Sequence, residues 1–558
     1  MRRSLFILTI IIVFLPIIPG LFGVILPAFS YIPTLGLHHI SLQGFYQVFQ
    51  WPHVADSIVI TVWSGLISTA ISLYLTYSFL RLFWHTDQWK KLEAWLSPLL
   101  AIPHVAFAIG LVFLVSPTGW LNRLLDLISS KLAIINLAQD PYALGLILVL
   151  TIKETPFLIL MSIAVLQQLN TLQLIRISAS LGYSPQQTWQ KVIFPQWLPK
   201  IRLPLYAVIA YGLSVVDLNL IIGPSQPSSF SVLVWQWFND SDLSLLPRAT
   251  AGALVLLLIA GIVLCAVRSL EWVILHHRRH WLIKGTNSKS ANSDYPPVNG
   301  WFVSTAPLRK VSLLIFLSLP IVTLPLLGIW SFALRWRFPD ILPSHWSERF
   351  WQQEIEQITQ LLTTSTLFAS LSALICLILV IGSLEFRDKY QLNIPVVIIA
   401  IPLIVPQLSL LFGIQITTLY FPTNTYFLWV LWGHIFYVFP YMYLALDGTW
   451  RSYDPRYSYT AASLGVSPVR VWWQVKRPQL MTGIIFAFAM GLSVSFAQYL
   501  PTQMLGAGRI TTLTTEAVAL ASGQDRRVTA IYGLLQGLLP LVSFTLALIF
   551  SKKYRITS

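Results

Sequence analysis

Residues 176–185 read Arg-Ile-Ser-Ala-Ser-Leu-Gly-Tyr-Ser-Pro, and residues 459–468 read Tyr-Thr-Ala-Ala-Ser-Leu-Gly-Val-Ser-Pro. Gly182 and Gly465, Ser184 and Ser467, Pro185 and Pro468, and Pro195 and Pro478 each stand 283 positions apart. Small residues, then glycine, then Ser-Pro spell one local shape. A short helix ends on a left-handed glycine, and a second helix restarts on a serine N-cap with proline at its first position. Thr171 and Asp454, each eleven residues before the shared glycine, are the predicted caps of the leading helix. Two copies of one elbow in register point to a duplicated chain.

Outward from the elbows the chain is apolar. Of its 558 residues 56% are hydrophobic and 10% charged, with a mean hydropathy of +0.69, which excludes a soluble globular protein. The apolar residues arrive in runs of about 20, the length that crosses a bilayer core of roughly 30 Å as helix. Twelve such runs are predicted, six on each side of a polar stretch. They lie near Leu5–Phe29, Ile58–Phe83, Leu96–Val115, Ala143–Leu166, Leu203–Ile222 and Ala249–Val273, then Val311–Leu334, Leu361–Leu384, Ile394–Leu419, Phe427–Leu446, Gly483–Leu500 and Thr529–Phe550. The basic start Met1-Arg2-Arg3 imitates a secretory signal. No small-x-small cleavage site follows through Phe29, so the first run is read as a retained span.

With the N-terminus inside, most of the 36 Lys and Arg residues fall in inner segments, including Arg176, Lys191, Lys200, Arg278, Arg279, Arg451, Arg470 and Lys476. That asymmetry orients a multi-pass membrane protein with both termini in the cytoplasm, and it accounts for the net charge of +15 without nucleic acid. Both cysteines, Cys265 and Cys376, fall inside predicted spans and imply neither a disulfide framework nor a metal site. The cluster His276-His277-Arg278-Arg279-His280 is read as a basic interfacial anchor.

Further matches extend the duplication. Pro103 and Gly110 recur as Pro406 and Gly413 at an offset of 303, and Gly223 and Asp242 recur as Gly506 and Asp525 at 283. A longer outer loop at 116–142 absorbs the difference. The expected organisation is a first repeat over 1–280, a polar cytoplasmic linker over 281–306 and a second repeat over 307–558. Six spans per repeat make the repeats parallel, so both elbows share one face of the membrane.

On these residues the sequence resembles the permeases of ABC importers with the type I fold, whose Glu-Ala-Ala-Gly loops seat a short helix in a cleft of the ATP-hydrolysing subunit. The resemblance covers both halves. It implies an all-α membrane protein of twelve transmembrane helices in two parallel six-helix repeats, set in a bacterial inner membrane. The implied coupling residues are Ser178, Ala179, Ser180, Leu181, Gly182, Ser184 and Pro185, with Ala461, Ala462, Ser463, Leu464, Gly465, Ser467 and Pro468. Val192, Pro195, Val475 and Pro478 supply the apolar residue and proline that follow in the family. The family's leading glutamate is replaced by Ile177 and Thr460, so its polar contact is not carried over. The fused double form, together with Gln498-Tyr499-Leu500-Pro501-Thr502 and Ser522 to Arg527, resembles the ferric iron and thiamine permeases. Two ATPase copies and an extracytoplasmic substrate-binding protein are the implied partners. No Gly-x4-Gly-Lys-Ser/Thr loop occurs in the sequence, so the chain is not expected to be an enzyme or to bind a cofactor itself, and ATP enters through the ATPase.

Charges at mid-membrane mark the candidate translocation path, because each costs several kcal/mol unless paired or wet, about 2.5–3.5 on insertion scales. Lys153 and Glu154 lie within the fourth predicted span and Asp217 within the fifth. A Lys153–Asp217 bridge is the expected pairing, and either a structural ion pair or substrate contact accounts for the group. Gln498 falls near the counterpart of Asp217, and Tyr437 and Val438 stand opposite Lys153 and Glu154, so charge comes mainly from one repeat. An ion-coupled secondary transporter with parallel repeats is the alternative function, but it leaves the paired elbows unexplained. Asp240-Ser241-Asp242 imitates a metal-binding Asp-x-Asp without supporting ligands, and a purely structural scaffold would need no charge in the bilayer. The substrate itself is not legible.

Overall fold

The computed structural model describes residues 2–128, 134–284, 306–392, 395–418, 425–523 and 525–556. Residues 285–305, nearly all of the predicted linker, lie outside the described residues. The first segment runs α1 Arg3–Ala28, α2 Val54–Phe83, α3 Trp89–Ala101, α4 His104–Val115, α5 Trp120–Ile128, α6 Leu144–Gln168, α7 Thr171–Ser180, α8 Pro185–Thr188, α9 Arg202–Ser214, α10 Asp217–Ile222, α11 Phe230–Phe238 and α12 Leu246–Lys284. The second runs α13 Ala306–Ser331, a hairpin β1 Ala333–Arg335 and β2 His345–Trp346, α14 Arg349–Tyr390, α15 Val396–Ile404, α16 Gln407–Thr418, α17 Tyr426–Arg451, α18 Arg456–Ser463, α19 Pro468–Val471, α20 Arg477–Phe496, α21 Leu500–Leu505, α22 Leu513–Ala521 and α23 Arg526–Ile556.

This is an all-α membrane protein. Among the described residues ten helices are long and apolar enough to cross a membrane, and α15 with α16 adds a pair bent by 90°. The apolar runs predicted as unbroken helices at Leu96–Val115, Ile394–Leu419 and Leu203–Ile222 are each interrupted, and the run at Gly483–Leu500 stops at Phe496 and restarts at Leu500. The causes are local. Pro103 and Pro406 lack an N–H and push the residue before them out of the helical region, so Ile102 (ψ 121°) and Val405 (ψ 134°) are extended. Val215 (ψ 128°) breaks the fifth run in the same way without proline.

Prolines also set a rarer feature in both segments. Trp189–Ile193 and Trp472–Lys476 form π turns 283 positions apart, each two residues before a proline, Pro195 or Pro478. The missing N–H and the ring's clash with the carbonyl four residues back shift the register, so Phe194 N donates to Trp189 O and Arg477 N to Trp472 O.

The first span packs on both segments, with its end at Ile25–Ala28 against α12. α1 lies along α14, α16 and α17: Ser383 Oγ donates to Thr9 Oγ1 at 3.1 Å, Trp432 Nε1 donates to Ile12 O at 2.9 Å, and Phe6 stacks on Phe386 with centroids 4.2 Å apart. Glycine permits the approach. A Cβ on Gly413 would sit 2.1 Å from Gly20 O and one on Gly23 would sit 2.5 Å from Gly413 O, so the two helices cross backbone to backbone. α13 in turn packs on α4 and α6 of the first segment as well as on α23. One buried cluster spans both segments, including Phe107, Ile109, Val149, Phe230, Leu327, Leu411, Phe436 and Tyr532.

Candidate functional site

The two elbows have the predicted shape, with one correction. Gly182 and Gly465 take φ of +82° and +81°, the left-handed conformation that lets each leading helix end and turn. Ser184 caps α8 through a full capping box with Gln187, with Pro185 at the first position, whereas Ser467 holds the same place before Pro468 without a side-chain bond. Asp454 accepts from Arg456 N at 2.9 Å at the start of α18. Thr171 does not cap α7. It is the first helical residue, and its Oγ1 accepts from Trp84 Nε1 at 2.8 Å and lies 2.7 Å from His85 Nε2, because the chain enters α7 through a left-handed Asn170 and turns the hydroxyl onto the end of α2.

Leu181 and Leu464, at the tips, are 69% and 77% exposed. Ile177 and Thr460 are exposed beside them, and Thr460 Oγ1 donates back to Arg456 O at 3.0 Å. Each elbow is seated on its own bundle through its π turn, but the chemistry differs. Ile193 and Trp189 are buried with Phe79, Phe83 and Leu166. At the equivalent position of the second elbow stands Lys476, its Nζ 2.7 Å from Glu385 Oε1, 3.3 Å from Asp388 Oδ2 and 4.3 Å from the centre of the Trp450 ring.

The mid-membrane candidates converge. Lys153, Glu154, Asp217 and Gln498 all line one cavity of about 220 Å³ between the segments. The broken helices α3–α4, α9–α10, α15–α16 and α20–α21 all reach its wall. Irregular backbone is thus confined to a lined cavity, as the bilayer requires.

The Lys153–Asp217 bridge does not form. Lys153 Nζ donates to Leu99 O at 2.9 Å and to Ile102 O at 2.6 Å. The break at Pro103 leaves the last carbonyls of α3 without helical partners, and an ammonium answers both their lone pairs and the negative end of the helix. Glu154 Oε1 instead meets His104 Nε2 at 3.2 Å, at the start of α4. Asp217, the first residue of α10, forms no ion pair among the described residues. Gln407 Nε2 donates to Gln498 Oε1 at 3.4 Å across the second-segment wall.

Several wall residues carried no signal in the sequence reading. His104 and Tyr211 pack with ring centroids 5.2 Å apart, and Tyr441, Tyr499 and Gln407 join Tyr437, Ser214 and Ser493 on the polar lining. Val438 faces away from the cavity into a separate apolar cluster with Phe439 and Met442. Behind the wall, His434 bridges Ser495 Oγ (2.7 Å) and Thr502 Oγ1 (2.9 Å) and stitches together the two sides of the α20–α21 break. Pro103 next to His104 was a readable cue. An isolated tyrosine or histidine in an aromatic-rich span was not.

Asp240-Ser241-Asp242 is a turn. Asp240 Oδ1 accepts from Asp242 N and Oδ2 pairs with Arg248 at 3.6 Å, while hydrogen bonds from Ser244 hold the exposed Asp242 carboxyl below its ordinary range.

No protein-family model matches the chain. It is 30% identical over 545 residues to the inner membrane ABC transporter permease protein YnjC of Escherichia coli strain K12, covering 97% of this chain and 94% of that protein. A 70-residue stretch is 30% identical to the molybdenum transport system permease protein ModB of Mycobacterium tuberculosis and of Mycobacterium bovis, 26% of that protein. Aligned end to end with a permease at this identity, and built of the apolar helices such a subunit needs, the chain belongs to the ABC transporter permeases, the membrane subunits of systems that work with ATPase partners.

Proposed function

We propose that this permease serves a binding-protein-dependent importer of the type I fold, with both elbows on the cytoplasmic face and one ATPase copy on each. In this reading the two segments are parallel six-span repeats, over 1–280 and 307–558, joined by a cytoplasmic linker, and both termini are cytoplasmic. The observation that carries it is the paired elbow. Two segments 283 positions apart share a left-handed glycine, a Ser-Pro restart and a π turn, and each presents an exposed leucine at its tip. An apolar tip on a rigid, turned helix is what a groove in a motor subunit can grip.

The central cavity is then the translocation path, and Asp217 and Glu154 are its candidate substrate contacts. Substrate reaches it from an extracytoplasmic binding protein, and ATP acts only through the ATPase. The 70-residue match to a molybdenum permease spans 26% of that protein and carries no substrate over to this chain. The ferric iron and thiamine resemblance assigns a loose subgroup at most.

The test is chemical labelling combined with assembly. Leu181→Cys and Leu464→Cys, each in a chain lacking Cys265 and Cys376, are expected to react with an impermeant maleimide only in inside-out vesicles, and to be shielded when the ATPase is bound. Labelling of the two positions from opposite faces would end the proposal, as would ATP-independent uptake driven by an ion gradient.

A further inference from the structure

We propose that the cavity recognises a small organic cation, with its charged nitrogen at Asp217 and its body against the tyrosine walls. This rests on the reading of the cavity as the translocation path and adds the chemistry of what passes.

Charge comes first. Asp217 faces the cavity and forms no ion pair among the described residues, whereas Glu154 is held by His104. The cation expected to neutralise Asp217, Lys153, has its ammonium fastened on Leu99 O and Ile102 O at the end of α3. The other cationic side chains of the lining are engaged, Lys153 by those two carbonyls and His104 by Glu154, and no arginine is among the lining residues, so the wall favours a cation over an anion.

The walls come second. Tyr211, Tyr441 and Tyr499 line the same cavity as Asp217 and Glu154. Aromatic faces beside a carboxylate attract an organic ammonium through the ring quadrupole, in the manner of aromatic cages. A bare metal ion would instead need converging ligands, and among the described residues no group of three His, Cys, Asp or Glu side chains is placed to hold one.

Size comes third. A cavity of about 220 Å³ limits the cargo to a small molecule.

The test uses Gln498→Cys in the full chain lacking Cys265 and Cys376, assembled with its ATPase in nanodiscs. Modification rates are compared for a trimethylammonium-ethyl and a sulfonato-ethyl methanethiosulfonate of similar size, each normalised to the rate with free 2-mercaptoethanol. The cationic reagent is expected to be favoured at least tenfold, and Asp217→Asn is expected to bring the ratio to within about threefold of one. With Asp217 intact, choline chloride is expected to protect the cysteine and sodium sulfate is not, a readout that survives if the Asp217 variant misfolds. A normalised ratio near one, preference for the anion, no reaction with either reagent or protection by sulfate would overturn the proposal. Failure of the permease reading would show separately, as loss of the co-purifying ATPase in the unsubstituted chain.

Discussion

Lys153 and Asp217 carry opposite charges on one cavity wall, yet their roles separate once their partners are known. Lys153→Met leaves the carbonyls of Leu99 and Ile102 in a buried helix end without a donor, at a cost of about 1–3 kcal/mol for each orphaned group. A lower midpoint of thermal unfolding in detergent is the expected result, with Lys153→Arg recovering part of the loss. Asp217→Asn removes a charge that holds no ion pair, so stability is expected to stay or rise, the ATPase still to co-purify, and transport in proteoliposomes to be lost. Unchanged transport would remove Asp217 from the path. The spans of these residues were readable because an ionisable side chain in a 20-residue apolar run is conspicuous. Their pairing was not, because it depends on Pro103 freeing carbonyls that are distant from Lys153 in sequence.

The elbows show how one local code can be met unequally. Ser184 caps α8 and Ser467 makes no side-chain bond, so Ser184→Ala is expected to cost about 1 kcal/mol and Ser467→Ala to stay within a few tenths, read as differing rates of limited proteolysis at the two loops. Gly182→Val or Gly465→Val places a β-branched residue at φ near +80°, a strain of roughly 1–2 kcal/mol, and is expected to reduce the ATPase retained on affinity purification. The turn, the Ser-Pro restart and the repeat spacing were legible because they follow from backbone preferences of glycine, serine and proline. Thr171 was misassigned because its hydroxyl had a better partner in Trp84, on a helix the local sequence does not mention. The π turns went unseen for a similar reason. Pro195 and Pro478 were noted, but a register shift that keeps the helix running is settled by packing on either side.

At the scale of the whole molecule, α1 lies along α14, α16 and α17 of the other segment, so the two segments clasp each other. Co-expressed as separate chains, residues 1–284 and 306–558 are expected to copurify. With Thr9→Cys on one and Ser383→Cys on the other, an oxidant is expected to join them as one band that thiol splits back into the two fragments, since the native hydroxyls are 3.1 Å apart. Two freely separating fragments would contradict the clasp. Hydropathy and proline and glycine spacing were enough to establish a membrane-embedded helical chain with twin elbows, because those features depend on solvent and on backbone torsions within a few residues. The docking of α1 on the second segment, the convergence of four broken helices on one cavity, and the gathering of tyrosines on its wall were set by contacts distant in sequence. In a bilayer that packing is driven by close contact and hydrogen bonding between helices rather than by apolarity, and hydropathy does not record which apolar face meets which.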